Sequence, residues 1–181
     1  MSRITLTDPA NATGKPAELL SAVKAKLGIV PNMTRGMAAN PAVLESYLAF
    51  SSALGHGRLG AKIREQIAIV VAEINECHYC LSAHTAIGKS LGLSPTELAA
   101  SRSGHSENAR AAAALRFAER VVRTGGGVSD DDLRIVRDAG FDDGEIAEIV
   151  ATVALNVFTN LFNRTFDIEV DFPVVRPGVG V

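Results

Sequence analysis

The two cysteines of the chain lie three residues apart, and a histidine follows four residues after the second. They are Cys77 and Cys80, followed by His84. If this segment is helical from Cys77 onward, all three side chains share one face, because residues i, i+3 and i+4 are neighbours on a helix surface. Unpaired backbone N–H groups in the first turn of a helix stabilise a thiolate. His84, one turn further on, can accept a proton from Cys80 or return it.

Two neighbouring thiols can complete a redox cycle that a single thiol cannot perform. The first thiol attacks an electrophile such as a peroxide oxygen and becomes a sulfenic acid, which the second thiol converts to a disulfide. An external reductant then resets the pair. In a reducing cytosol, two close cysteines are more often reactive or metal-binding than a permanent structural disulfide.

Other interpretations of the cysteine pair are weaker. A zinc site would use Cys-x-x-Cys and a histidine. However, structural zinc commonly needs four ligands, and the sequence has no second Cys-x-x-Cys or His-x-x-x-His pair. The remaining histidines fit poorly, since His78 would point away from the cysteine face, and His56 and His105 lie in glycine-containing turns. A thioredoxin-like motif would require a preceding strand. A pair of buried, unreactive thiols is the remaining alternative. We therefore expect no bound metal.

Length and composition favour one helical domain. A chain of 181 residues can bury a substantial core, and its scarcity of aromatic residues (5%) leaves small aliphatic side chains to form it. The net charge of −2, with acidic and basic residues interleaved, does not favour nucleic acid or an anionic membrane as a partner. The first residues lack a secretory signal pattern, so the sequence predicts a soluble, cytoplasmic protein.

The order of helical segments predicts an all-α bundle of about eight helices. We expect an irregular arm over residues 1–14, a helical domain over 15–167 and an irregular tail over 168–181. The apolar run IAIVVA could also form a buried strand. A helix is favoured because the apolar residues around it follow a helical period over a segment too long for an ordinary strand.

Helix starts are also predicted from capping residues. Ser94, followed by Pro95 and Glu97, has the pattern of a capping box. Ser106 is the predicted N-cap of the next helix.

The segment REQIAIVVAEINECHYCLSAH resembles the core signature of the alkylhydroperoxidase D (AhpD) family, within the carboxymuconolactone decarboxylase-like superfamily. The matching residues are Glu65, Cys77, Cys80 and His84. The ending NRTFDIEVDFP is similar to the uncharacterised peroxidase-related branch. The resemblance implies an AhpD-like helical bundle, assembly from trimers or dimers, and a dithiol peroxidase. It also implies that Cys80 is peroxidatic, that Cys77 resolves, and that Glu65 and His84 form a proton relay.

Three positions around the signature need separate predictions. Glu65 lies on the preceding helix and can reach the sulfur face if the chain bends near Asn75. Glu73 is a second candidate carboxylate, although a helix-end salt bridge is the simpler role for it. Tyr79 occupies the position of a histidine in the best-known family members, and we expect it to form a wall of the site.

The leading functional hypothesis is a thiol-dependent peroxidase that reduces hydroperoxides without a bound cofactor. Its expected electron donor is an external thiol or a lipoyl-type dithiol, supplied by a reductant protein. Two alternatives remain: a carboxymuconolactone decarboxylase-type lyase that uses Glu65 and His84 on a lactone acid, and a non-enzymatic dithiol redox sensor. A homo-oligomer is also expected, because the segment EIVATVALNVFTNLF is apolar on nearly every face.

Overall fold

The computed structural model describes residues 1–178, and every regular element in that range is an α-helix. The predicted all-α class is confirmed, with nine helices in the described range instead of about eight. They are α1 Gly14–Leu27, α2 Asn32–Met37, α3 Pro41–Gly55, α4 Ala61–Ile74, α5 His78–Ser90, α6 Pro95–Arg102, α7 Ala109–Thr124, α8 Asp130–Asp138 and α9 Asp143–Thr165.

Helix α4 forms the centre of the bundle and contains the ambiguous IAIVVA run. Every residue from Gln66 to Ala72 is buried, and α4 packs against α5, α6, α7 and α9. Burial on all sides explains the continuous apolar run, since such a helix needs no polar face. The predicted helix is confirmed, and tertiary packing overrides the weak helix propensity of its β-branched residues.

The chain reverses direction between α4 and α5 through a Schellman motif. Glu76 has a left-handed backbone conformation, with φ of 51°. The Cys77 N–H donates to the Ala72 carbonyl at 2.9 Å, and the Glu76 N–H donates to the Glu73 carbonyl at 3.0 Å. The motif ends α4 at the predicted bend near Asn75 and places Cys77 at the start of the next helix. As a result, α4 and α5 pack side by side.

One of the two predicted helix caps is correct. Ser94 and Glu97 form the expected capping box at the start of α6. The prediction for α7 is wrong, because Asn108 is its N-cap and accepts a hydrogen bond from Ala111 N–H at 2.9 Å. The Ser106 hydroxyl accepts from the Asn108 N–H instead and stabilises the turn before the cap.

Helix α9 is the one helix within residues 1–178 that is long and apolar enough to span a membrane by length and composition. It packs against α3, α4, α5 and α7. Its inward face carries a line of polar side chains, and three apolar side chains on other faces are exposed. The buried polar residues are Thr152, Asn156, Thr159, Asn160 and Asn163, and the exposed apolar ones are Val150, Phe158 and Leu161.

The segments before α1 and after α9 are irregular but are held on the helices. In the arm, the Thr7 N–H donates to the Arg35 carbonyl at 3.1 Å. In the tail, Asp171 accepts from the Asn32 N–H at 2.8 Å and the Val175 N–H donates to Ser82 Oγ at 2.9 Å. The last three residues of the predicted tail lie outside the described range.

Candidate active site

The cysteine pair lies at the N-terminus of α5. Cys77 is the N-cap, and its Sγ accepts a hydrogen bond from the Cys80 N–H at 3.3 Å. The two cysteines are joined by a disulfide, with Cα atoms 5.4 Å apart. They are only 1% and 2% exposed, so little of either cysteine meets the outer surface.

Glu65 and His84 are brought into direct contact by the packing of α4 against α5. Glu65 Oε2 lies 2.7 Å from His84 Nδ1, and both side chains are mostly buried. Because a carboxylate only accepts hydrogen bonds, Nδ1 carries the proton in this pair. Nε2 of the neutral imidazole is therefore free to accept a proton from another group.

A cavity of about 560 Å³ adjoins this pair and contains Cys80 in its wall. Cys80, His84 and Glu65 all line it, whereas Cys77 does not. Most of the remaining wall is apolar, so the reactive groups face a space suited to a hydrophobic molecule. The apolar lining includes Val23, Leu48, Ala83, Ile87, Leu155 and Phe172.

Asn163 of α9 is a site residue that sequence analysis did not single out. Its Nδ2 lies 3.2 Å from Cys80 Sγ and 3.2 Å from Met33 Sδ. Asn163 is 3% exposed, and its Oδ1 has no hydrogen-bond partner among the described residues. A donor held at the sulfur stabilises the thiolate form more than the thiol. Polar residues at helical spacing on the otherwise apolar α9 were the available signal.

Tyr47 of α3 is a second wall residue missed as a functional candidate. It lines the cavity together with Glu65. Burial, together with the negative charge of Glu65, raises the pKa of Tyr47 to about 12, although a hydrogen bond with Ser51 acts in the opposite direction. The phenol is therefore neutral at physiological pH and available as a hydrogen-bond donor.

The sequence profile of the carboxymuconolactone decarboxylase family matches residues 41–120, which contain the cysteine pair, Glu65 and His84. The crystal structure of an uncharacterized peroxidase-related protein from Silicibacter sp. TM1040 has a TM-score of 0.82 and 27% identity, covering 93% of this chain and 91% of that one. An uncharacterized peroxidase-related protein with an alkylhydroperoxidase AhpD core, from Ralstonia eutropha JMP134, has a TM-score of 0.84 and 25% identity, with 94% and 92% covered. Residues 41–120 therefore resemble the carboxymuconolactone decarboxylase family, and the chain as a whole has the fold of these AhpD-like, peroxidase-related proteins.

The AhpD-like fold also occurs in more distant proteins. A cysteine-to-alanine variant of the debrominase Bmp8, in complex with 2,3,4-tribromopyrrole, has a TM-score of 0.79 at 18% identity and covers 93% of this chain and 91% of its own. At this identity the similarity concerns the fold alone. No protein of curated function matches the chain.

Tyr79, where the best-known AhpD proteins carry a histidine, lies between the cysteines and is 4% exposed. Its hydroxyl accepts a hydrogen bond from the Met33 N–H at 3.2 Å, and its ring meets Phe172 edge-on with centroids 5.7 Å apart. Burial raises the pKa of Tyr79 far above its ordinary value, and the charge of Asp171 adds to this. These contacts make it a neutral, fixed wall in this AhpD-like site.

Glu73, the second candidate carboxylate, is not brought to His84. It accepts from Arg102 Nε at 2.8 Å and from the Gly178 N–H at 2.6 Å. These bonds hold the ends of α4 and α6 and the tail together. No group of three or more His, Cys, Asp or Glu side chains suited to a metal occurs among residues 1–178 of this AhpD-like chain.

Proposed function

We propose that this protein is a thiol-dependent peroxidase that reduces organic hydroperoxides, with Cys80 as nucleophile and Cys77 as resolving cysteine. The observation that carries the proposal is the position of Cys80. It shares the wall of an apolar cavity with the hydrogen-bonded Glu65–His84 pair and is within disulfide reach of Cys77.

In the first step, the Cys80 thiolate attacks one peroxide oxygen. His84 Nε2 accepts the thiol proton beforehand, and the Glu65 carboxylate stabilises the resulting imidazolium. The peroxide O–O bond breaks and Cys80 becomes a sulfenic acid. The leaving alkoxide takes the proton from His84 and departs as an alcohol. Asn163 Nδ2, at 3.2 Å from the sulfur, stabilises the thiolate before attack.

In the second step, Cys77 resolves the sulfenic acid. Its sulfur attacks Cys80 Sγ, the S–O bond breaks, and hydroxide leaves as water after protonation. The product is the Cys77–Cys80 disulfide. An external dithiol returns two electrons, so no bound cofactor is required, and this dependence fits a reducing compartment such as the cytoplasm.

The cavity favours an organic hydroperoxide over hydrogen peroxide. Transfer of apolar surface from water contributes roughly 25 cal/mol per Å². An apolar substituent that fills part of the cavity therefore contributes to binding, whereas hydrogen peroxide has no such substituent. We expect a higher kcat/KM for cumene hydroperoxide than for hydrogen peroxide.

The test is a comparison of wild type with Cys80→Ser and Cys77→Ser. Steady-state consumption of cumene hydroperoxide with dihydrolipoamide should be lost in Cys80→Ser, while Cys77→Ser should retain one stoichiometric oxidation and form a trappable sulfenic acid. Turnover that survives in Cys80→Ser would remove the assignment of the nucleophile.

The same experiment separates the alternatives. A lyase of the carboxymuconolactone decarboxylase type would act on a lactone acid even in the double Cys77→Ser, Cys80→Ser variant. A redox sensor would form its disulfide rapidly but would not turn over with dithiol present. Because the debrominase Bmp8 shares the fold, 2,3,4-tribromopyrrole belongs in the substrate panel, and its debromination without hydroperoxide turnover would contradict the peroxidase.

We also propose that the protein self-associates through the outer face of α9. Val150, Phe158 and Leu161 are 42%, 38% and 63% exposed along one helix. Exposed apolar side chains grouped in this way are typical of interfaces, and a second copy of the chain is the occupant we propose.

A further inference from the structure

The two cysteines of the disulfide line different spaces. Cys80 lines the apolar cavity, whereas Cys77 lines a separate open groove of about 1010 Å³. Among the described residues, only Tyr79 and Asn163 line both spaces. The disulfide, with these two side chains, therefore forms a partition between the cavity and the groove.

The groove differs chemically from the cavity. The Glu73–Arg102 ion pair, 2.8 Å between its nearest atoms, lies in its wall with both side chains nearly buried. A second pair, Glu119–Arg123, lines it at 2.7 Å. The groove wall thus carries several charged side chains, whereas the cavity wall is mostly apolar.

We infer that the electron donor enters this groove and attacks Cys77, while the hydroperoxide reacts with Cys80 from the cavity. This inference rests on the proposed peroxidase function and names the route of its second substrate. Because Cys77 is only 1% exposed at the groove wall, the donor that fits is a dithiol carried on a narrow arm. A broad protein surface could not bring its thiol to this sulfur.

The exchange balances in two steps. A donor thiolate attacks Cys77 Sγ, the Cys77–Cys80 bond breaks, and Cys80 leaves as a thiolate. The second donor thiol, as thiolate, then attacks the donor sulfur of the mixed disulfide, closes a ring disulfide on the donor, and releases Cys77. The donor loses two electrons and two protons, and the cysteine pair gains both.

The surroundings of Cys80 favour it as the leaving group. Asn163 Nδ2 lies 3.2 Å from its sulfur, and a leaving thiolate that is stabilised departs faster. Attack at Cys77 therefore regenerates the nucleophile directly on the hydroperoxide side. Since the two substrates occupy opposite sides, excess dithiol should not compete with the hydroperoxide.

A trapping experiment identifies the attacked sulfur. The oxidised protein is mixed with glutathione, quenched with N-ethylmaleimide within the first turnover, and sequenced by tandem mass spectrometry. We expect glutathione on Cys77 and maleimide on Cys80, in at least tenfold excess over the reverse pattern. The reverse pattern, an equal mixture, or no mixed disulfide would overturn the inference. The result does not depend on peroxidase activity.

A reciprocal pair of variants tests the two routes. His78 is exposed on the groove and Ile87 is 37% exposed on the cavity, so tryptophan at each position narrows one space. We expect His78→Trp to lower kcat/KM for dihydrolipoamide about tenfold and to change kcat/KM for cumene hydroperoxide less than twofold. We expect Ile87→Trp to lower kcat/KM for cumene hydroperoxide about tenfold and to change kcat/KM for dihydrolipoamide less than twofold. His105→Trp, at an exposed histidine outside both linings, is the matched control and should leave both constants unchanged.

The inference of separate routes would be overturned if either variant changed both kcat/KM values equally. It would also be overturned if His78→Trp left kcat/KM for dihydrolipoamide unchanged. Failure of the peroxidase proposal itself is detected separately. Pre-reduced wild-type protein mixed once with cumene hydroperoxide needs no donor. If its cysteines were not oxidised in that reaction, the proposed peroxidase function would be contradicted, and not the route of the electron donor.

Discussion

The carboxylate of Glu65 lies 2.7 Å from Nδ1 of His84, although the two residues are 19 positions apart and on different helices. This contact exists because the Schellman turn at Glu76 folds α5 back against α4. It fixes the imidazole so that Nε2 is the free nitrogen. The proposed proton transfer from Cys80 depends on this orientation.

Glu65→Gln should lower the rate of thiol oxidation without unfolding the protein. The amide retains a hydrogen bond to His84 but cannot stabilise an imidazolium by charge, and general acid–base groups typically contribute about 10²–10⁴-fold. We expect a rate lower by roughly 10–100-fold at pH 7, measured by stopped-flow mixing with cumene hydroperoxide. Glu73→Gln is the matched control, and a comparable loss in that variant would contradict the relay.

Asn163→Leu should raise the pKa of the Cys80 thiol by about one to two units, because hydrogen bonds to charged groups contribute about 1.5–3 kcal/mol and one pKa unit corresponds to 1.36 kcal/mol. Thiolate absorbance near 240 nm in a Cys77→Ser background reports this sulfur alone. Asn163→Asp places a carboxylate at the same position and should raise the pKa further. An unchanged pKa in both variants would show that the 3.2 Å contact does not act on the thiolate.

The native protein should show almost no tyrosinate absorbance at pH 10.5. Its two tyrosines, Tyr47 and Tyr79, both have raised pKa values through burial, and the chain contains no Trp to obscure the signal near 295 nm. In guanidinium chloride both should titrate near the ordinary value of about 10. A native tyrosine titrating near pH 10 would contradict the burial argument.

The same groups predict a loss of stability at high pH. Between about pH 10 and 12 the unfolded chain has released its tyrosine protons while the folded chain retains them, so the unfolded state binds fewer protons. The free energy of unfolding contributed by these groups is therefore present below pH 10 and falls as pH rises. Urea unfolding at pH 9 and pH 11 measures the difference.

Glu76→Gly should stabilise the protein by about 0.5–1 kcal/mol. A left-handed conformation costs a non-glycine residue roughly 1–2 kcal/mol, part of which is offset by the greater freedom of glycine in the unfolded chain. The measurement is urea unfolding. Glu76→Ala removes the charge but keeps the strain, so it should change stability little. Equal effects of the two substitutions would contradict the conformational explanation.

Leu161→Glu should dissociate the oligomer if the outer face of α9 joins two copies. Leu161 is 63% exposed, so the substitution costs little within one chain, whereas a buried charge at an interface is unfavourable. Light scattering coupled to size-exclusion chromatography gives the mass. Ile135→Glu, at a 46% exposed position on α8, is the control and should leave the mass unchanged. A monomeric wild-type protein would contradict self-association.

Much of the helical architecture could be predicted from local sequence. The capping box at Ser94 and the helical period through IAIVVA identified the starts and types of their helices, because these signals act within a few residues. The N-cap at Asn108 was missed because Ser106 and Asn108 are both favoured N-cap residues two positions apart, and the choice depends on the preceding turn.

The sequence by itself determined the spacing of Cys77, Cys80 and His84, since one helix brings residues three and four apart together. Only the tertiary structure decided which carboxylate meets the imidazole, placed Asn163 against the sulfur, and turned the two cysteines towards different spaces. The reason is geometric: these relationships depend on how α4, α5 and α9 are rotated against one another, and that rotation is set by packing between residues far apart in the chain.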